Sequence, residues 1–343
     1  DVCSSALPRT KIIGGINFEN RIQEYERNTV NTSMSYIWQV EDEAQYTFTP
    51  FDASYIFSDP LESFKEDLIA TGNQSLIALF NPSFVVFSSF SARFNHGNYG
   101  VGNNNSHFIQ TSLESGGNLL NAFNNLPAFQ DLENYKYLKA TFEFRQNIKL
   151  TSRSSFAYKA KVGAAYSYGD NGSLPYEKYF FAGGSNSIRA WQPRRLGPGA
   201  YAQIDSTETS GIALDYKTER TGDILLETSA EFRSSLVGFI DYALFIDAGN
   251  MWLWNSPKLK GDAFGEDNGS FKLNEVTREL AVGSGFGLRF DFSFLVLRLD
   301  LAYKIVDPGY PKGERFLLND YKLNDLWDFR NHASLNIGIG YPF

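Results

Sequence analysis

The sequence predicts an all-β protein, a transmembrane antiparallel β-barrel of about twelve strands. Three observations carry this. Hydrophobic residues make up 43% of the 343 residues, yet no window approaches the roughly 20 consecutive apolar residues of a spanning helix. Segment after segment alternates apolar with polar residues, the period of a strand with one oily face. Short links alternate with long ones, and aromatic residues are 16% of the chain, with 19 Tyr and 30 Phe, as suits a barrel with tight turns on one side, long loops on the other and aromatic girdles between.

Taken in order, the upstream strands are the fainter ones, near 11–19, 29–40, 46–57, 84–94 and 106–116. Residues 61–70 read as a short helix in an outer loop, with Ser63 and Glu66 at capping-box spacing. Residues 97–105 form a Gly/Asn-rich turn. From there the alternation sharpens. In 139–149, Ala140, Phe142, Phe144 and Ile148 oppose Thr141, Glu143, Arg145, Asn147 and Lys149. In 155–168, Phe156, Tyr158, Val162 and Tyr166 oppose Lys159, Lys161, Gly163 and Ser167. In 224–233, Leu226, Thr228, Ala230 and Phe232 oppose Glu227, Ser229, Glu231 and Arg233. In 239–249, Ile240, Tyr242, Leu244 and Ile246 oppose Asp241, Ala243, Phe245 and Asp247. In 294–305, Leu295, Leu297, Leu299 and Leu301 oppose Val296, Arg298, Asp300 and Lys304. The last strand, 332–343, sets Leu335, Ile337, Ile339 and Tyr341 against Ser334, Asn336, Gly338 and Gly340. Charges so dense on one face suit a wet lumen, with the opposite face turned to lipid. The long links fall at 169–221, 251–276 and 306–331; if these are extracellular, the C-terminus lies in the periplasm.

The formal net charge of −8 disfavours nucleic acid as a partner. The single cysteine, Cys3, has no internal disulfide partner. Asp1 is not a natural start and no signal peptide is visible, so residues are expected in front of it. The whole of 1–343 reads as one barrel domain.

Three segments together resemble a known family. They are PYEKYFFAGGSNSIRAWQPRRLGPGAY at 175–201, YALFIDAGNMW at 242–252 and GSGFGLRFDFSFLVLRLDLAY at 283–303. Their order and spacing resemble the C-terminal barrel of the outer-membrane protein assembly factors, the BamA/TamA-like bacterial surface antigens. The run around Arg194 and Arg195 looks most like the TamA-like members of Bacteroidetes-type bacteria. The resemblance implies that the long loop folds back into the lumen. Its tip, Ile188, Arg189, Ala190 and Trp191, would set Arg189 against Glu231 and Asp247, after a tight inward bend at Gly183 and Gly184. A guanidinium fork suits two carboxylates. Ala190 stands where the family has Gly, which asks for a less permissive backbone. Asn336, Gly338, Tyr341 and Phe343 match the family's C-terminal β-signal. Family barrels have sixteen strands preceded by periplasmic modules, so the resemblance implies a C-terminal part of such a barrel, its remaining strands before Asp1 or on another chain.

No catalytic constellation emerges. There is no G-x-S-x-G elbow; Gly183, Gly184 and Ser185 lack the strand-turn-helix setting of a phosphate loop; and His96, His107 and His332 lie on separate segments without ligand spacing. Arg194 and Arg195 suit a loop-to-wall ion pair better than a lipopolysaccharide phosphate. No cofactor or metal is expected. The resemblance implies a biogenesis factor that inserts β-barrel proteins or moves proteins across the outer membrane through a weak barrel seam. Gly338, Gly340 and Pro342 suit such a seam. Its partners would be outer-membrane lipid and lipopolysaccharide, unfolded outer-membrane clients, and accessory periplasmic or lipoprotein subunits. The alternative is a secretion pore for one partner protein; a passive porin and an outer-membrane hydrolase fit less well.

Overall fold

The computed structural model describes residues 7–22, 25–41, 43–71, 82–100, 104–118, 135–169, 172–204, 214–216, 218–255, 262–263, 269–292, 294–319, 321, 328 and 332–343. Cys3 lies outside them. Among the described residues, twelve strands form one sheet in sequential order, each hydrogen-bonded to the next. They are β1 Arg9–Arg21, β2 Tyr25–Val40, β3 Ala44–Pro60, β4 Ser83–His96, β5 Ser106–Gly116, β6 Tyr137–Lys149, β7 Ser154–Ser167, β8 Ile224–Val237, β9 Ile240–Trp252, β10 Ala281–Asp291, β11 Val296–Val306 and β12 Ala333–Ile339. The sheet is antiparallel, as period-2 segments joined by tight turns require. β12 is shorter than the sequence pattern: Gly340, with φ of +79°, turns the chain after Ile339.

An α-helix, α1 Glu62–Thr71, follows β3. Its first residue is Glu62, so Ser63 lies inside the first turn and does not cap it, and the Leu61 carbonyl accepts the Lys65 N–H at 2.9 Å. The capping-box expectation fails because the chain enters the helix directly from β3.

The chain divides into two compact units. One comprises residues 1–94, 110–142 and 164–179; the other comprises 95–109, 143–163 and 180–343. In the second, the expected alternation is written out in burial. On β8, Leu225, Glu227, Ser229 and Glu231 are buried, and on β9 so are Ala243, Phe245 and Asp247, while Leu244 and Ile246 stand exposed. Leu295, Leu299 and Phe232 are not buried. The first unit keeps the same rule through a β-bulge. The β3–β4 register shifts between Thr49 and Asp52, and the Ser88 hydroxyl donates to the freed Pro50 carbonyl at 2.6 Å. The extra residue flips the strand, so Phe48 before the bulge and Phe51, Tyr55 and Phe57 after it are all exposed.

Candidate functional site

The long link between β7 and β8 supplies the site. In the second unit it bends at Gly183 and Gly184, both at φ +99°. A side chain at Gly183 would strike the Gln192 carbonyl. Gly184 N–H donates to the Trp191 carbonyl at 2.8 Å, and Gly183 N–H to the Ser187 hydroxyl at 3.0 Å; that hydroxyl donates to Glu227 on β8. The segment thus closes into a compact turn whose tip, Ile188–Arg189–Ala190–Trp191, is at most 3% exposed.

Arg189 meets three strands. Its Nε and Nη2 donate to the two Asp247 oxygens of β9 at 2.8 and 2.9 Å, a bidentate fork. Its Nη1 donates to Glu231 of β8 at 2.7 Å and to Asp300 of β11 at 3.4 Å. Its backbone N–H also reaches Asp247, at 3.1 Å, and the guanidinium lies over the Phe245 ring, 3.4 Å from the centroid. The sequence paired Arg189 with Glu231 and Asp247; the structure adds Asp300, Arg289 and Arg298. Arg289 Nη1 donates to Asp300 at 2.5 Å and Nη2 to Glu231 at 3.2 Å. Arg289 and Arg298 stand directly opposite each other on β10 and β11. The three arginines and three carboxylates are each at most 1% exposed, so the buried set is balanced in charge, the condition under which ions tolerate removal from water. The signal for the added members was present: they share the inner-face parity of Glu231 and Asp247.

β10 receives the tip on bare backbone. Gly283, Gly285 and Gly287 alternate along its inner face. A Cβ at Gly283 would stand 2.6 Å from the Ala190 Cβ, and one at Gly285 2.7 Å from the Phe245 ring. Ala190 has no positive φ, so the alanine asks nothing special of its backbone. Its methyl instead takes up the space left by Gly283.

Two of the four β-signal residues, Asn336 and Gly338, face this cluster; Tyr341 and Phe343 lie against Arg233, whose Nε donates to Glu231 at 2.9 Å, so past the turn at Gly340 Tyr341 leaves the outward face expected for it. Asn336 Nδ2 donates to the Arg189 carbonyl at 2.9 Å. A side chain at Gly338 would meet the Arg298 guanidinium, its Cζ at 3.0 Å. The Arg233 guanidinium lies 4.4 Å from the Tyr341 ring centroid and 5.4 Å from that of Phe343.

In the first unit, the start of the same link forms a separate anchorage around the 3-10 turn Tyr176–Lys178. Arg27 of β2 pairs with Glu177 at 3.2 Å, and Lys178 with Glu114 of β5 at 2.7 Å. Lys178 Nζ also sits over Phe87, 3.4 Å from the centroid. Sequence reasoning missed this stem, because its partners lie far apart in the chain and no motif marks them.

The remaining candidates resolve simply. Arg194 pairs with Glu219 of the same loop at 3.5 Å. The His96 and His107 rings stack 4.9 Å apart although they lie on different strands, and His332 Nδ1 meets Asp328 at 3.1 Å. Among the described residues no three His, Cys, Asp or Glu side chains gather as a metal site. Where the loop rejoins β8, burial pushes the Asp223 carboxyl up to about 6, against a hydrogen bond from the Trp254 N–H that favours its charged form.

The fold of BamA is similar to this one. BamA from Haemophilus ducreyi lacking POTRA domains 1-3 superposes with a TM-score of 0.61 at 16% identity, over 96% of this chain and 59% of that one. CdiB from Acinetobacter baumannii gives 0.48 at 10% identity, over 92% and 42%. The chain therefore spans less than two thirds of either protein's length. Residues 4–319 match the model of the Omp85 superfamily domain. With the alternating strands and the inward loop tip already in place, that match assigns the chain to the Omp85 superfamily of bacterial outer-membrane β-barrels.

Proposed function

We propose that residues 1–343 act as one barrel domain of an outer-membrane biogenesis factor, which assists insertion of β-barrel clients or passage of proteins across the outer membrane. The observation that carries this reading is the buried ion cluster at Arg189. A loop held at its tip by three strands is a fixed plug, and a fixed plug serves a solute channel poorly. The working part is then the end of the sheet. Among the described residues β12 pairs with β11 over seven positions, and a strand edge that its seam partner leaves open offers N–H and C=O groups that template an incoming strand. The residues of the chain position and hold; the reading requires no bond-making step and no cofactor. We place the short turns and the exit from β12 on the periplasmic side, where unfolded clients and accessory subunits would meet them. Lipid would cover the outer face.

Depletion of the protein tests this. Accumulation of many unfolded outer-membrane proteins is the expected outcome. Loss of one exported protein, with the other barrels intact, would overturn it in favour of a dedicated secretion pore. High ion conductance of the purified protein in planar bilayers would point to a porin instead.

A further inference from the structure

We propose that the docked loop and β12 form a single latch, in which Asn336 is the positioning residue that ties strand pairing to loop docking. The proposal deepens the reading of β12 as a working edge and rests on it.

Few contacts besides the loop hold β12. The strand pairs with β11 over seven positions, from Leu297↔Ile339 to Tyr303↔Ala333. Its outward side chains Leu335, Ile337 and Ile339 are 57%, 66% and 75% exposed, so they pack on little protein. Its inward positions are Ser334, Asn336 and Gly338, which are short, polar or bare. Two of the three are tied to the loop. Asn336 stands opposite Asp300 in the register; Asp300 receives the Arg189 guanidinium, while the Asn336 amide donates to the Arg189 carbonyl. One loop residue is thus gripped by adjacent strands at both ends. Gly338 stands opposite Arg298, and the Arg298 guanidinium lies against it and donates to Asn186 of the loop. Removing the loop would strip the buried Asn336 amide and Arg298 of these partners. Lifting β12 would strip the Arg189 carbonyl of its donor. Each state favours the other, and such coupling is reciprocal.

Hydrogen exchange on the full chain in lipid nanodiscs tests the latch. Asn336→Ala leaves the Arg189 ion pairs in place. It should speed exchange of residues 186–191 and 333–339 together, by about tenfold. A second variant works in the opposite direction. Leu299→Cys with Ile337→Cys joins directly paired positions of β11 and β12 on the outward face, away from the cluster. Once oxidised, it should slow exchange at 186–191, and this protection should vanish when Asn336→Ala is added. The latch is refuted if the locked strand leaves loop exchange unchanged, or if Asn336→Ala loosens one segment without the other. No client enters the measurement. Linked exchange in a chain that inserts nothing would sink the proposed function alone, and unlinked exchange in a chain that inserts clients would sink the latch alone.

Discussion

The link between β7 and β8 is anchored twice, and the two anchorages follow different rules. At the stem, in the first unit, Arg27 meets a Glu177 side chain that is 44% exposed. At the tip, in the second, Arg189 and its acids are at most 1% exposed. Both use cations on carboxylates at hydrogen-bond distance. At the stem Glu177 can exchange its partner for water and salt, while Arg27, itself 4% exposed, keeps the Ser58 hydroxyl at 3.1 Å. The tip has no such fallback, and Asp247 without Arg189 would be a buried charge that has lost its bidentate partner. Distance alone therefore says little about which pair matters; the surroundings decide.

The strongest way to break this contrast is Arg189→Ala. It takes the bidentate cation from buried Asp247, while Glu231 and Asp300 keep Arg289, and should cost about 3–5 kcal/mol, read as a fall in the denaturant midpoint in lipid and as new protease cleavage within 183–199. Gly283→Val comes next. Its Cβ would overlap the Ala190 methyl, so the tip should be displaced at a cost of about 1–3 kcal/mol. Combining it with Ala190→Gly should recover much of the loss, and a strictly additive double mutant would show that the contact does not seat the tip. Asp223 gives a pH signature. Its folded value of about 6 lies above the ordinary carboxylate value of 3.8, so the folded chain binds the extra proton. Stability should fall as pH rises from about 4 to 6, by on the order of 1–2 kcal/mol, and Asp223→Asn should remove that slope. The smallest effect belongs to the stem. Glu177→Gln should cost under about 1 kcal/mol, and the difference from wild type should vanish at high salt. A stem variant as damaging as Arg189→Ala, or an Arg189 effect equally screened by salt, would erase the distinction.

Much of this was legible in residue order. The inner-face assignment of Glu231, Asp247, Arg298 and Asp300 needed only parity along each strand, because a strand with one side in water and one in lipid admits no other phase. Faintness upstream has a physical source at the β3 bulge, where the apolar residues change from even to odd numbers between Phe48 and Phe51, so a fixed period loses the trail. The pairing of Arg27 with Glu177 was illegible for another reason: 150 positions separate them, and only the fold brings them together. The link from Asn336 to Arg189 hid behind a motif. Its polar residue reads as a signal addressed to other machinery, and nothing in the spacing reveals that it also serves its own barrel.

The glycine row on β10 carries one more consequence. A surface without side chains has no ridges to arrest whatever rests on it, so steric fit alone would let the loop tip glide along the strand. Closeness is granted by Gly283, which leaves room for the Ala190 methyl; location is set by where the carboxylates stand. Moving the acids of β8, β9 and β11 together would be needed to relocate the plug, and its depth is in that sense written first in charge, with the Gly283–Ala190 contact adding the fit.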